Sequence, residues 1–136
     1  MVANKLFLEC QKRPWWMNLI FVFCLFMTFV YMPFDMFVKP VAEDQEVWFG
    51  IMLEGWAAKA TAPLHWAIYA LACFGFWRMR SWMWPWASVY TVQVAISMLV
   101  WNLLRGSLVS GLVSFIVFLV PTVAFYRSRE LFITKT

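Results

Sequence analysis

Four stretches of the chain are apolar around the whole helical circumference, at 15–37, 63–80, 86–104 and 107–126. A helix needs about 20 residues, at about 1.5 Å each, to cross a hydrocarbon layer of about 30 Å. The first, third and fourth runs reach that length. The apolar part of the second, from Pro63 to Trp77, falls short of it. The pattern predicts an all-α integral membrane protein with four transmembrane helices in a single domain, 1–136. The first run reads as a retained span, because it is long and Asp35-Met36-Phe37-Val38-Lys39 offers no small-residue cleavage site. Cys10 precedes that run and follows Glu9, which does not suit a lipoprotein cysteine.

Between the first two runs lies a long connection that begins acidic (Glu43, Asp44, Glu46) and turns apolar from Val47 to Trp56. On a helix, Glu46, Gly50 and Glu54 would form one narrow polar stripe. This predicts a short amphipathic interfacial or re-entrant helix over about 44–58, with Asp44 or Glu43 as its cap. Two courses are open for the second run: a long helix kinked at Pro63, or a helix starting there. Thr61 as cap with Pro63 in the first turn favours the second. The other connections are short: a turn from Arg78 to Pro85, and Arg105-Gly106 making an antiparallel hairpin of the last two runs.

Composition strengthens the membrane assignment. Of the 136 residues 64% are hydrophobic and 13% charged, more apolar surface than a soluble domain of this size can bury. The net charge of +4 is distributed by position, with no cluster dense enough to track phosphates, so nucleic acid is excluded as a partner. Lys5, Lys12, Arg13, Arg78, Arg80, Arg127, Arg129 and Lys135 fall on one side of the four runs. Only Lys39, Lys59 and Arg105 share the other side with Asp35, Glu43, Asp44, Glu46 and Glu54. The positive-inside rule then puts both termini in the cytoplasm, as in a bacterial inner membrane protein. Tryptophans mark both proposed boundaries: Trp15, Trp16, Trp77, Trp82, Trp84 and Trp86 at one, Trp48, Trp56, Trp66 and Trp101 at the other.

Candidate chemistry is sparse. There is no nucleophile, phosphate-loop or dinucleotide motif, and Cys10, Cys24 and Cys73 lack metal-ligand or disulfide spacing. Polar residues inside apolar runs need partners and are the leads that remain. Tyr69 and Gln93 fall at a similar depth, about 11 Å from one boundary at 1.5 Å per residue, which predicts an interhelical hydrogen bond. His65 is the single histidine, deeper and level with Thr28 and Ser114. Alone it cannot make a metal site, and Glu54 and Asp35 are the carboxylates expected to meet it. Asp35 also stands four residues before Lys39, the favourable order for an ion pair.

Two functional expectations follow. One is a non-enzymatic accessory or assembly subunit of a larger membrane complex, surrounded by membrane lipid and meeting a protein partner through 43–58. The other is a binder or carrier of a hydrophobic or cationic ligand such as a lipid, quinone, isoprenoid or amine. Its pocket would be lined by Asp35, Glu54, His65, Trp66 and Tyr69, with Trp48 and Trp56 as a lid. No cofactor is specified by either.

Overall fold

Pro14, with φ of −58° and ψ of 152°, leads directly into the first helix, α1 (Trp15–Phe37). The computed structural model describes residues 11–133. Lys5 and Lys135, used above for orientation, and Glu9 and Cys10 lie outside the described residues. Within α1 the turn Met27–Tyr31 widens to a π-helix before the α-helix resumes at Met32–Phe37. Pro33 has no N–H for the carbonyl four residues back, at Phe29, and its ring crowds that oxygen; a widened turn relieves both problems. One carbonyl of the widened turn, that of Thr28, accepts the Trp66 indole N–H at 2.8 Å.

The connection after α1 is not helical. A 3₁₀ turn, Val41–Glu43, leads into an antiparallel hairpin of β1 (Gln45–Trp48) and β2 (Ile51–Glu54). This corrects the helix expected over 44–58. Phe49 and Gly50 form the two-residue turn with φ of 51° and 85°, as a hairpin with right-handed strand twist requires. Val47, Trp48 and Ile51 are residues that favour a pleated, half-buried strand. The operative period is therefore two, and it places Glu46 and Trp48 on the same inward side.

The second helix, α2, is Trp56–Arg78 and runs through Pro63. The helix start expected at Pro63 is thus also corrected. Gly55, at φ 59° and ψ −126°, turns the chain from β2 straight into α2, so the helix is under way before Thr61 is reached. Its 23 residues span roughly 34 Å at the standard rise. The third helix, α3 (Met83–Leu104), starts three residues before the expected boundary and carries Pro85 in its first turn, where no N–H is needed. Gly106, at φ 76°, turns the chain into α4 (Leu108–Arg127). A short α5 (Arg129–Ile133), absent from the sequence reading, closes the described chain.

Among the described residues, α1, α3 and α4 are long and apolar enough to cross a membrane. Their outward faces are those of a protein dissolved in lipid: Phe29 is 71% and Val109 74% exposed, while Asp35 is 2% exposed. The helices associate as α1 with α2 and α3 with α4. Ala87 and Ala95 on α3 and Gly111 on α4 are buried, and Thr122 donates to Thr91 at 2.9 Å across that pair. Close backbone approach at small residues is how helices gain dispersion where lipid removes the hydrophobic drive.

At the end away from the hairpin, Met17, Phe21, Phe76, Met83, Phe125 and Phe132 unite both pairs in one apolar core. Arg13 is buried there. Its Nη1 donates to the Phe76 carbonyl at 2.7 Å, its Nε donates to Asn18 Oδ1 at 2.9 Å, and its guanidinium lies 4.7 Å from the Phe21 ring centre. A cation on the last turn of α2 satisfies a helix-end carbonyl and opposes the helix dipole.

The hairpin tip is seated on α3. A Cβ on Gly50 would lie 2.5 Å from Val100 Cβ and 2.9 Å from the Ser97 carbonyl. Gly50→Ala is therefore expected to cost about 1–3 kcal/mol through overlap and backbone strain. Phe49→Gly, which removes only the positive-φ strain of an exposed residue, should leave thermal stability in detergent unchanged or slightly raised. Equal melting temperatures for Gly50→Ala and the parent would show that the tip does not rest on α3.

Candidate functional site

Six ionisable residues at the hairpin end gather in two adjoining clusters that fasten the hairpin to α1 and α2. In the first, Lys39 Nζ lies 3.0 Å from Asp35 Oδ1 and 2.9 Å from Asp44 Oδ1. Lys59 Nζ lies 3.1 Å from Asp44 Oδ2 and donates to the Asp35 backbone carbonyl. That carbonyl is free because the N–H groups of Val38 and Lys39 both turn back to Phe34. Lys59 thus takes one of the unpaired carbonyls that every helix C-terminus leaves.

Burial by itself would pull the Lys39 ammonium down, but its hydrogen bonds to Asp44 and Asp35 outweigh that and hold it above the ordinary lysine value. Burial likewise pushes the Asp44 carboxyl up, and the bonds from Lys39 and Lys59 overcome it, leaving the group below the usual carboxylate range. Asp44 is fully covered by these neighbours. The other oxygen of Asp35, Oδ2, is buried and lacks a hydrogen-bond partner.

The second cluster centres on Glu46. Its Oε2 accepts from Thr61 Oγ1 at 2.7 Å, from Trp48 Nε1 at 3.0 Å and from His65 Nδ1 at 3.0 Å. The Trp48 ring lies flat on the His65 imidazole, with centroids 3.9 Å apart and planes within 10°. Burial raises the Glu46 carboxyl, yet the bonds from His65, Thr61 and Trp48 prevail and hold it below its ordinary value. Strand alternation explains the convergence, since residues 46 and 48 share a face. On α2, residues 61 and 65 are one turn apart.

The residues singled out from sequence are divided by this arrangement. Asp35 joins the first cluster, with the ion pair to Lys39 that the spacing predicted. His65 and Trp48 meet in the second, with the Tyr69 ring 6.4 Å beyond. Glu54 is on the far strand, accepting from Gln45 Nε2 at 3.4 Å in the open, so it meets neither His65 nor Asp35. Trp66 is tied to α1, and Trp56 is 77% exposed. The hydrogen bond expected between Tyr69 and Gln93 is replaced by two others. Tyr69 pairs with Tyr90, and Gln93 donates to Ser97 Oγ at 2.9 Å.

Lys59, Asp44, Glu46 and Thr61 were not foreseen as site members. The i, i+2 placement of Glu46 and Trp48 was the available signal. Among the described residues no three of His, Cys, Asp and Glu converge to hold a metal ion.

These clusters dictate a pH profile. A carboxylate depressed in the folded state contributes stability that is present above its unfolded value, about 4. That contribution disappears as pH falls through the lower, folded value; Asp44 and Glu46 both act in this sense. Lys39, raised in the folded state, contributes below its unfolded value of about 10.4 and loses that contribution as pH climbs through the folded one. Melting temperature in detergent should therefore be flat from about pH 5 to 10 and fall on both sides. Glu46→Gln should lower the plateau and shrink the acid limb. Asp44→Asn, which leaves Lys59 without its carboxylate and Lys39 with Asp35 alone, should cost about 3–5 kcal/mol. An acid limb identical in the parent and Glu46→Gln would remove Glu46 from this account.

Comparison of the chain with protein-family models, with curated proteins and with solved structures finds no match in any of the three.

Proposed function

We propose that the chain is a small, non-enzymatic integral membrane protein that serves as an accessory or assembly subunit of a larger membrane complex. In this reading α2 is a fourth span. Both termini face the cytoplasm of a bacterial cell, and the hairpin faces the opposite side. One observation carries the proposal. Asp35, Lys39, Asp44, Glu46, Lys59 and His65 are all engaged in fastening the hairpin, whereas its tip presents Phe49 and Ile51, each 59% exposed. Trp56, at the start of α2, is exposed as well.

An active site of this size would keep ionisable groups free and aimed into a cavity. Here those six groups are consumed by structure, and what the hairpin tip offers for recognition is apolar and aromatic. Aromatic groups are the usual anchors of protein interfaces. A neighbouring membrane protein with a complementary apolar surface suits that end.

The test is affinity capture of the chain from gently solubilised native membranes, with native mass spectrometry of what accompanies it. The expected result is a stoichiometric protein partner. Phe49→Ser combined with Ile51→Ser should reduce its recovery by about tenfold or more, as loss of interface anchors does. Glu54→Ala should leave recovery unchanged. A parent chain that emerges alone, or undiminished recovery with the tip variant, would overturn the subunit reading.

A further inference from the structure

One face of α2, bordered by α1 along part of its length, carries a shallow apolar furrow made of two cavities that share Ala70. One, of about 250 Å³, is lined by Pro63, Trp66, Ala67 and Ala70. The other, of about 290 Å³, lies against Leu25, Phe29, Cys73, Phe74 and Trp77, among others. Positions 63, 66/67, 70, 73/74 and 77 recur every three to four residues, so the furrow follows one face of α2. From residue 63 to 77 it extends for roughly 21 Å at the helical rise. Its floor is made by small side chains and its walls by aromatic ones.

The furrow has almost nothing polar to offer a ligand. Thr28 is the one hydroxyl on its wall, and that group already donates to the Cys24 carbonyl at 2.8 Å and lies 3.4 Å from Cys73 Sγ. A long hydrocarbon chain fits this chemistry, and a polar or charged ligand body does not. The end towards the termini is different. The Arg80 guanidinium stands 5.6 Å from the centre of the Phe74 ring, which is part of the furrow wall. Arg78 is four residues after Phe74 on the same helix face. Both arginines are exposed, and among the described residues neither has a carboxylate partner.

From an apolar furrow with two exposed guanidinium groups near its end, neither with a carboxylate partner among the described residues, we infer that this face of α2 is a binding site for one anionic phospholipid. An acyl chain lies along Phe74, Ala70 and Ala67, and the headgroup phosphate meets Arg78 and Arg80. Arginine suits the task, since its planar donors pair with phosphate oxygens bidentately. The inference rests on α2 crossing the membrane, as proposed above, so that the furrow faces hydrocarbon and the arginines face headgroups.

The purified full chain in mixed micelles should be offered phosphatidylglycerol and phosphatidylcholine of identical acyl chains, with retained lipids counted by native mass spectrometry. The expected result is one retained lipid with a preference for phosphatidylglycerol of about tenfold, from two surface arginines. Arg78→Gln with Arg80→Gln should abolish the preference. Ala70→Phe, which fills the furrow from an exposed position and keeps both charges, should abolish retention. Melting temperatures of these variants should match the parent, because none of the three side chains is in the core. Equal retention of the two lipids by the parent, or undiminished retention by Ala70→Phe, would overturn the site. Whether α2 spans is read separately, from an impermeant thiol reagent reaching Ala60→Cys and Ser81→Cys from opposite faces of sealed vesicles. Labelling of both from one face would reject the span itself.

Discussion

A polar side chain can enter an apolar phase only in the company of its partners, and that constraint decides where the hairpin lies. Two lysines and two aspartates from four segments neutralise one another around Asp44, and Glu46 gathers three donors from its own strand and α2. Removing such charges from water costs several kcal/mol per ion, so the cluster is better understood as a determinant of position than as a source of net stability. A hairpin displaced by one residue would turn Glu46 and Trp48 outward and leave His65 and Thr61 facing apolar side chains.

The two ends of the molecule are organised on different principles. At the end away from the hairpin, aromatic and methionine side chains meet in a dry core, with Arg13 as its single buried cation among the described residues. At the hairpin end, cohesion is ionic and hydrogen-bonded. Between them each helix pair carries an interhelical bond, Trp66 to Thr28 and Thr122 to Thr91. Such bonds average about 0.6 kcal/mol in membrane proteins and reach about 1.7. Their main effect is on register: the Thr28 carbonyl offers its bond from the π-turn that Pro33 induces, and so fixes the height of α2 against α1.

The four apolar runs were legible from length and hydropathy, and α1 matches its expected limits. Helix ends that depend on backbone conformation were less so. Gly55 launches α2 well before Pro63, and nothing in its side chain advertises a φ of 59°. The loop was misread because Glu46, Gly50 and Glu54 satisfy a helical stripe and Phe-Gly is a weaker turn signal than Asn-Gly. Once the period is two, Glu46 replaces Glu54 as the partner of His65. The pairing of Asp35 with Lys39 was legible because it is local. Lys59 was not, because its contact with Asp44 depends on where the hairpin folds.

The Glu46–His65 pair has the composition of an acid–base dyad, and its geometry argues for a lock. A carboxylate oxygen that already accepts three hydrogen bonds is a weak base, since taking a proton means surrendering at least one of them. Trp48 covers one face of the imidazole and Thr61 occupies the same oxygen, so both neighbours serve the joint. With Asp35, Lys39, Asp44, Glu46, Lys59 and His65 committed inward, the hairpin tip presents the apolar Phe49 and Ile51. At the opposite end of α2, Arg78 and Arg80 are exposed and, among the described residues, have no carboxylate partner. The carboxylates of Asp35, Asp44 and Glu46 are thus spent on joining the hairpin to its own helices.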